Sequence, residues 1–98
     1  MTVTTNLVVE LVRAANGIGK LAAPERRHLL RKGVTASGAL RGLLITTGKA
    51  APLDRSDEHV IEEIARDIEA MSDETVAKAL LTLADKIRTM RILNREDA

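Results

Sequence analysis

The chain has 98 residues, 45% of them hydrophobic and 30% charged, with a formal net charge of +1. That length suits a single domain, which buries roughly 60–70% of its unfolded surface, and that balance of apolar to charged residues excludes the disordered class. The absence of Cys excludes disulfide frameworks, thiolate nucleophiles and cysteine-ligated zinc, and the absence of Phe, Trp and Tyr leaves a core of Leu, Ile, Val, Ala and Met only.

The first element is a helix over about Thr5 to Asn16. Leu7, Val8, Leu11, Val12 and Ala15 fall within one arc of a 3.6-residue period, and Gly17 supplies a stop. Pro24 suits the first helical position and Gly33 the position just past a helix end, which brackets a second, short helix over about Pro24 to Lys32. Leu29 and Leu30 face inward on it. Thr35 or Ser37 then caps a third helix that runs to about Thr47, with Ala36, Ala39, Leu40, Leu43 and Leu44 as its apolar side and Gly48 as its stop.

A linker over about 49–55 leads into helices that are acidic at their starts, as the macrodipole favours. Ser56 caps a fourth helix, about Asp57 to Met71, with Val60, Ile61, Ile64, Ile68 and Met71 on one face. Ser72 caps a fifth, striped by Val76, Leu80, Leu83, Ile87 and Met90, and the tail Asn94 to Ala98 frays. The expected fold is therefore an all-α compact bundle of about five short helices, with a sharp C-terminal corner or hairpin at Ser72. It forms a single helical domain over 1–98, without internal repeats.

Charge divides this chain in two. Residues 1–50 carry +6 and the remainder −5, so the halves either attract each other or offer a basic surface to an anionic partner. The densest basic cluster is Arg26, Arg27, Arg31 and Lys32, joined by Arg41 as candidate partner or nucleic-acid contacts. Around Gly33 these residues raise the question of a DNA-reading helix-turn-helix. Ser37 and Arg41 alone are too few polar groups to read base edges, which leaves sequence-independent phosphate contact. Gly38 and Gly42, four apart on one helical face, are candidate dimer or helix-packing positions, because two absent side chains permit close approach.

Catalytic chemistry has little to work with. His28 sits among arginines. His59 can pair with Glu62 or Glu63 one turn on, but this is half a metal site at most. Asn16 to Lys20, NGIGK, lacks the leading glycine and trailing Ser or Thr of a phosphate loop. The serines Ser37, Ser56 and Ser72 have capping positions. No catalytic residue, metal or cofactor is assigned. The sequence points to a cytoplasmic, non-membrane, non-enzymatic protein-interaction module, acting as an adaptor, antiactivator or inhibitor of a larger bacterial assembly and able to homodimerise. The alternative is a DNA-associated accessory protein using the basic cluster.

Overall fold

A computed structural model describes residues 2–46, 48 and 56–95 of the chain. All the regular structure among them is helical: α1 (Thr2–Asn16), α2 (Ala23–Thr46), α3 (Ser56–Arg66) and α4 (Asp73–Arg95). Two 3-10 turns, Ile18–Lys20 and Ile68–Ala70, join α1 to α2 and α3 to α4. The all-α class is as expected, but four long elements replace five short ones. The expected linker 49–55 and the last three residues of the expected tail lie outside the described residues, while α4 continues through Asn94 and Arg95.

The largest departure is α2. Gly33 does not end a helix; it sits buried in the middle of a continuous one of 24 residues. Three glycines in that helix each cost about 1 kcal/mol of propensity relative to alanine. Tertiary packing overrides that cost, because Leu29, Leu30, Gly33, Ser37 and Leu44 bury one stripe of α2. Each fully buried Leu contributes roughly 1.5–3 kcal/mol. The stretch Glu25 to Leu44 therefore contains no helix-turn-helix, and neither Thr35 nor Ser37 caps anything.

Gly33 earns its place by proximity. A Cβ there would lie 2.7 Å from Leu83 Cδ1 and 3.4 Å from Leu83 Cβ and Cγ. Any side chain there would force Leu83 to shift where α2 and α4 cross. Gly17 is also not the left-handed cap that its position suggested, with φ −114°. Gly48 is one, at φ +77°.

The fourth expected helix also divides. α3 stops at Arg66, and the 3-10 turn carries Ile68 into the core, so the corner before α4 spans several residues rather than Ser72 alone. Ser72 caps α4 as expected, its Oγ accepting the Thr75 N–H at 3.1 Å. The α4 stripe is as expected too: Val76, Leu80, Leu83, Ile87 and Met90 are all at most 1% exposed.

The architecture is a repeat that the sequence hid. Gly17 and Asp67, at the ends of α1 and α3, share backbone angles (φ −114°, ψ 33° and φ −104°, ψ 32°), as do Leu21 and Met71 (φ −100°, ψ 134° and φ −92°, ψ 140°). Hydrogen bonds recur at a shift of fifty residues: Gly17 N to Arg13 O and Asp67 N to Glu63 O, Lys20 N to Gly17 O and Ala70 N to Asp67 O, Leu21 N to Ile18 O and Met71 N to Ile68 O. Each half is thus a helix, a 3-10 turn and a longer helix.

Packing between the halves obeys two-fold exchange. α1 packs on α4 while α3 packs on α2, and the first 3-10 turn packs on α4 while the second packs on α2. Gly33 and Leu83, which are equivalent positions, touch each other, as residues beside a two-fold axis must. Each short helix therefore covers the long helix of the other half, and a cleft opens between the two helices of its own half.

Candidate functional site: two equivalent clefts

The cleft between α1 and α2 has a volume of about 540 Å³. Ala14, Leu21, Pro24 and Leu29 form an apolar floor, and Glu10, Arg13, Glu25 and His28 line it with charge and hydrogen-bonding groups. Two of these are engaged. Glu10 pairs with Lys32 at 3.2 Å. Glu25 Oε1 accepts the Ala22 N–H at 3.1 Å, which closes the first turn of α2. The side chains of Arg13 and His28 are exposed and have no hydrogen-bond or ion-pair partner among the described residues.

The cleft between α3 and α4 has about 300 Å³. Five of its lining residues, Val60, Ile64, Thr75, Lys78 and Ala79, stand fifty positions after Glu10, Ala14, Glu25, His28 and Leu29 of the first. The same backbone site is built twice with different chemistry.

The basic cluster predicted from sequence does not stay together. Arg26 turns inward and ties the joint of its own half to the other half. Its Nε and Nη2 donate to the carbonyls of Leu21 and Ile18 at 2.9 and 2.8 Å, and its Nη1 pairs with Asp73 at 2.8 Å. Arg27 Nε donates to Ala65 O at 2.9 Å, satisfying a carbonyl in the last turn of α3. Arg41 is bound inside the fold to Glu58. Only Arg31 and Lys32 remain on the surface, and Lys32 has Glu10 as its partner. The opposite charges of the halves are thus partly spent on each other within one chain.

Glu58 is the polar centre that sequence reasoning missed. It lies in the acidic first turn of α3, where the macrodipole alone would account for it, yet its side chain is 7% exposed and accepts hydrogen bonds from Ser37 Oγ and Arg41. Burial alone would raise its pKa; the hydrogen bonds from Arg41 and Ser37, with the charges of Arg41 and Lys86, outweigh it and hold the carboxyl below its ordinary value. The signal was present in the spacing: Ser37 and Arg41 are four apart on α2 and so share a face. The group anchors α3 to α2 and holds no open position for a substrate.

Among the described residues, nothing packs closely on the candidate glycines Gly38 and Gly42. A Cβ on Gly38 would meet only Arg41 Nη2, at 3.7 Å, and one on Gly42 would meet nothing within 4 Å. His59 pairs with Glu63 rather than Glu62, at 3.5 Å on the exposed side of α3. No cluster of three metal-ligating side chains occurs among the described residues, and no helix among them is long and apolar enough to cross a membrane. Compared with protein families, with characterised proteins and with solved structures, the chain matches none.

Proposed function

We propose that this chain is a small, non-enzymatic, cytoplasmic protein-interaction module, of the kind that acts as an adaptor, antiactivator or inhibitor of a larger bacterial assembly. The observation that carries this reading is the α1–α2 cleft. It combines an apolar floor with two unpartnered basic side chains, Arg13 and His28, and it stands open beside a scaffold in which Arg26, Arg27 and Ser37 are occupied in holding the fold. Clefts of this size with a few polar groups above an apolar floor are the usual form of a binding site.

The competing reading, a DNA-associated accessory protein, keeps only Arg31 and Lys32 of its expected contacts, since Arg26, Arg27 and Arg41 spend donors inside the fold. A photo-crosslinking residue placed at His28, with a control at exposed Thr89, tests the proposal in the source cell. One recurrent protein adduct at His28 and none at Thr89 supports it. Absence of any protein adduct at His28, together with salt-sensitive retention of nucleic acid by the purified chain, would replace it with the second reading.

A further inference from the structure

The internal two-fold supplies a control that few surfaces have. It shows what each cleft looks like when the same backbone is built with other residues. At the lip of the α1–α2 cleft the fold carries Glu10, which is exposed, and behind it Ala14. At the same two places the α3–α4 cleft carries Val60, 54% exposed, and Ile64. Nothing in the backbone demands an apolar residue at that lip, because its equivalent is a glutamate.

An exposed valine alone needs no explanation. Val60 and the half-buried Ile64 instead make an apolar wall along α3 above the core residue Ile61, on a helix otherwise rich in acid. The charges bordering that wall are of opposite sign. Glu63, exposed and one turn from Val60 on α3, pairs within its own chain with His59 at 3.5 Å, and Lys78 lines the α4 side of the same cleft, its ammonium without a partner among the described residues. A surface with acid on one border and base on the other is complementary to itself across a two-fold axis, where each acidic edge meets the partner's basic edge.

We propose that the α3–α4 cleft is a homodimer interface: a second copy of the chain seats its Val60 and Ile64 against the same wall, and Lys78 of each copy pairs with the partner's Glu63. This goes beyond the interaction-module reading and uses the other cleft, so each stands or falls alone. A dimer formed this way presents two α1–α2 clefts to its partners. It also moves the interface away from Gly38 and Gly42 on α2.

Sedimentation equilibrium over about two decades of protein concentration decides the matter. The wild-type mass is expected to rise from that of one chain, 10.6 kDa, toward twice that value with concentration. Val60→Glu should hold the mass at one chain throughout. Because that change installs the residue found at the equivalent position, its helical circular dichroism should stay at the wild-type level. Lys78→Glu should weaken association at least tenfold, and adding Glu63→Lys to it should restore the wild-type constant. Gly42→Glu should leave association unaltered. A wild-type chain that stays monomeric at every concentration, a dimer that survives Val60→Glu, a charge swap that fails to restore binding, or dissociation by Gly42→Glu would each overturn the proposal.

Discussion

One substitution, glycine to alanine, separates three positions of α2. At Gly42 the added methyl meets nothing, so the change gains only helix propensity, up to about 1 kcal/mol of stability. At Gly38 the single neighbour is the end of the Arg41 side chain at ordinary contact distance, and the same gain is expected. At Gly33 the methyl is driven against Leu83, which is fully buried and cannot turn away. Overpacking costs about 1–3 kcal/mol, so the net effect there is a loss of about 1 kcal/mol despite the better propensity. Urea denaturation of the three variants checks the order. Glu58 gives a second residue-scale prediction. Its pKa lies below the ordinary 4.5 in the folded chain, so it contributes stability that is present above that value and lost as pH falls through the lower, folded pKa. Glu58→Gln should remove that part of the acid transition. It should also cost about 3 kcal/mol at neutral pH, because Arg41 is left nearly buried without its carboxylate. Replacing Arg41 and Glu58 together by leucine should be less damaging than Glu58→Gln alone, since no uncompensated charge remains.

At the scale of elements, the repeat allows one half to correct the other. Ser72 caps α4, whereas its equivalent, Ala22, has no side chain to offer the first turn of α2. Glu25 already reaches back to the Ala22 N–H, so Ala22→Ser should complete a reciprocal capping box and raise the thermal midpoint. The expected gain is about 1 kcal/mol, equal and opposite to the loss from Ser72→Ala. The same comparison shows why α4 was legible and α2 was not. Val76, Leu80, Leu83, Ile87 and Met90 are large and evenly spaced, so periodicity announces a single buried stripe. On α2 the equivalents of Leu83 and Ile87 are Gly33 and Ser37, one shrunk to admit Leu83 and the other turned polar to hold Glu58. A local reader takes that glycine for a stop and that serine for a cap. Both identities are set by partners on other helices, and no local rule reveals them. The repeat was hidden for the same reason. Between residues 6–44 and 56–94 only Ala15/Ala65, Ile18/Ile68, Leu30/Leu80, Arg41/Arg91 and Leu43/Leu93 are identical, because residues paired across the axis are complementary rather than alike. The clefts, which form between helices of one half, were equally out of reach of a one-dimensional pattern.

The whole molecule is held mainly by contacts between its halves. α1 rests on α4, α3 on α2, and the two long helices cross at Gly33 and Leu83. The bonds of Arg26 to Asp73, Arg27 to Ala65 and Arg41 to Glu58 all join the halves too. A chain split between residues 50 and 51 should therefore yield two fragments that are mostly unfolded alone, since each keeps a short and a long helix that barely touch and exposes the stripe its partner would cover. Mixed at equal concentration, they should regain the helical signal of the intact protein. Their charges of +6 and −5 should speed the encounter, so that association slows steeply as salt is added while the dissociation rate changes little. Fragments with Leu83→Ala should still associate but dissociate faster, because the crossing loses its largest contact while the charges remain. Stopped-flow circular dichroism on the mixed fragments reads both rates. A fragment of either half that folded by itself to its full helical content would show that the exchange of short helices between the halves is not what stabilises the fold.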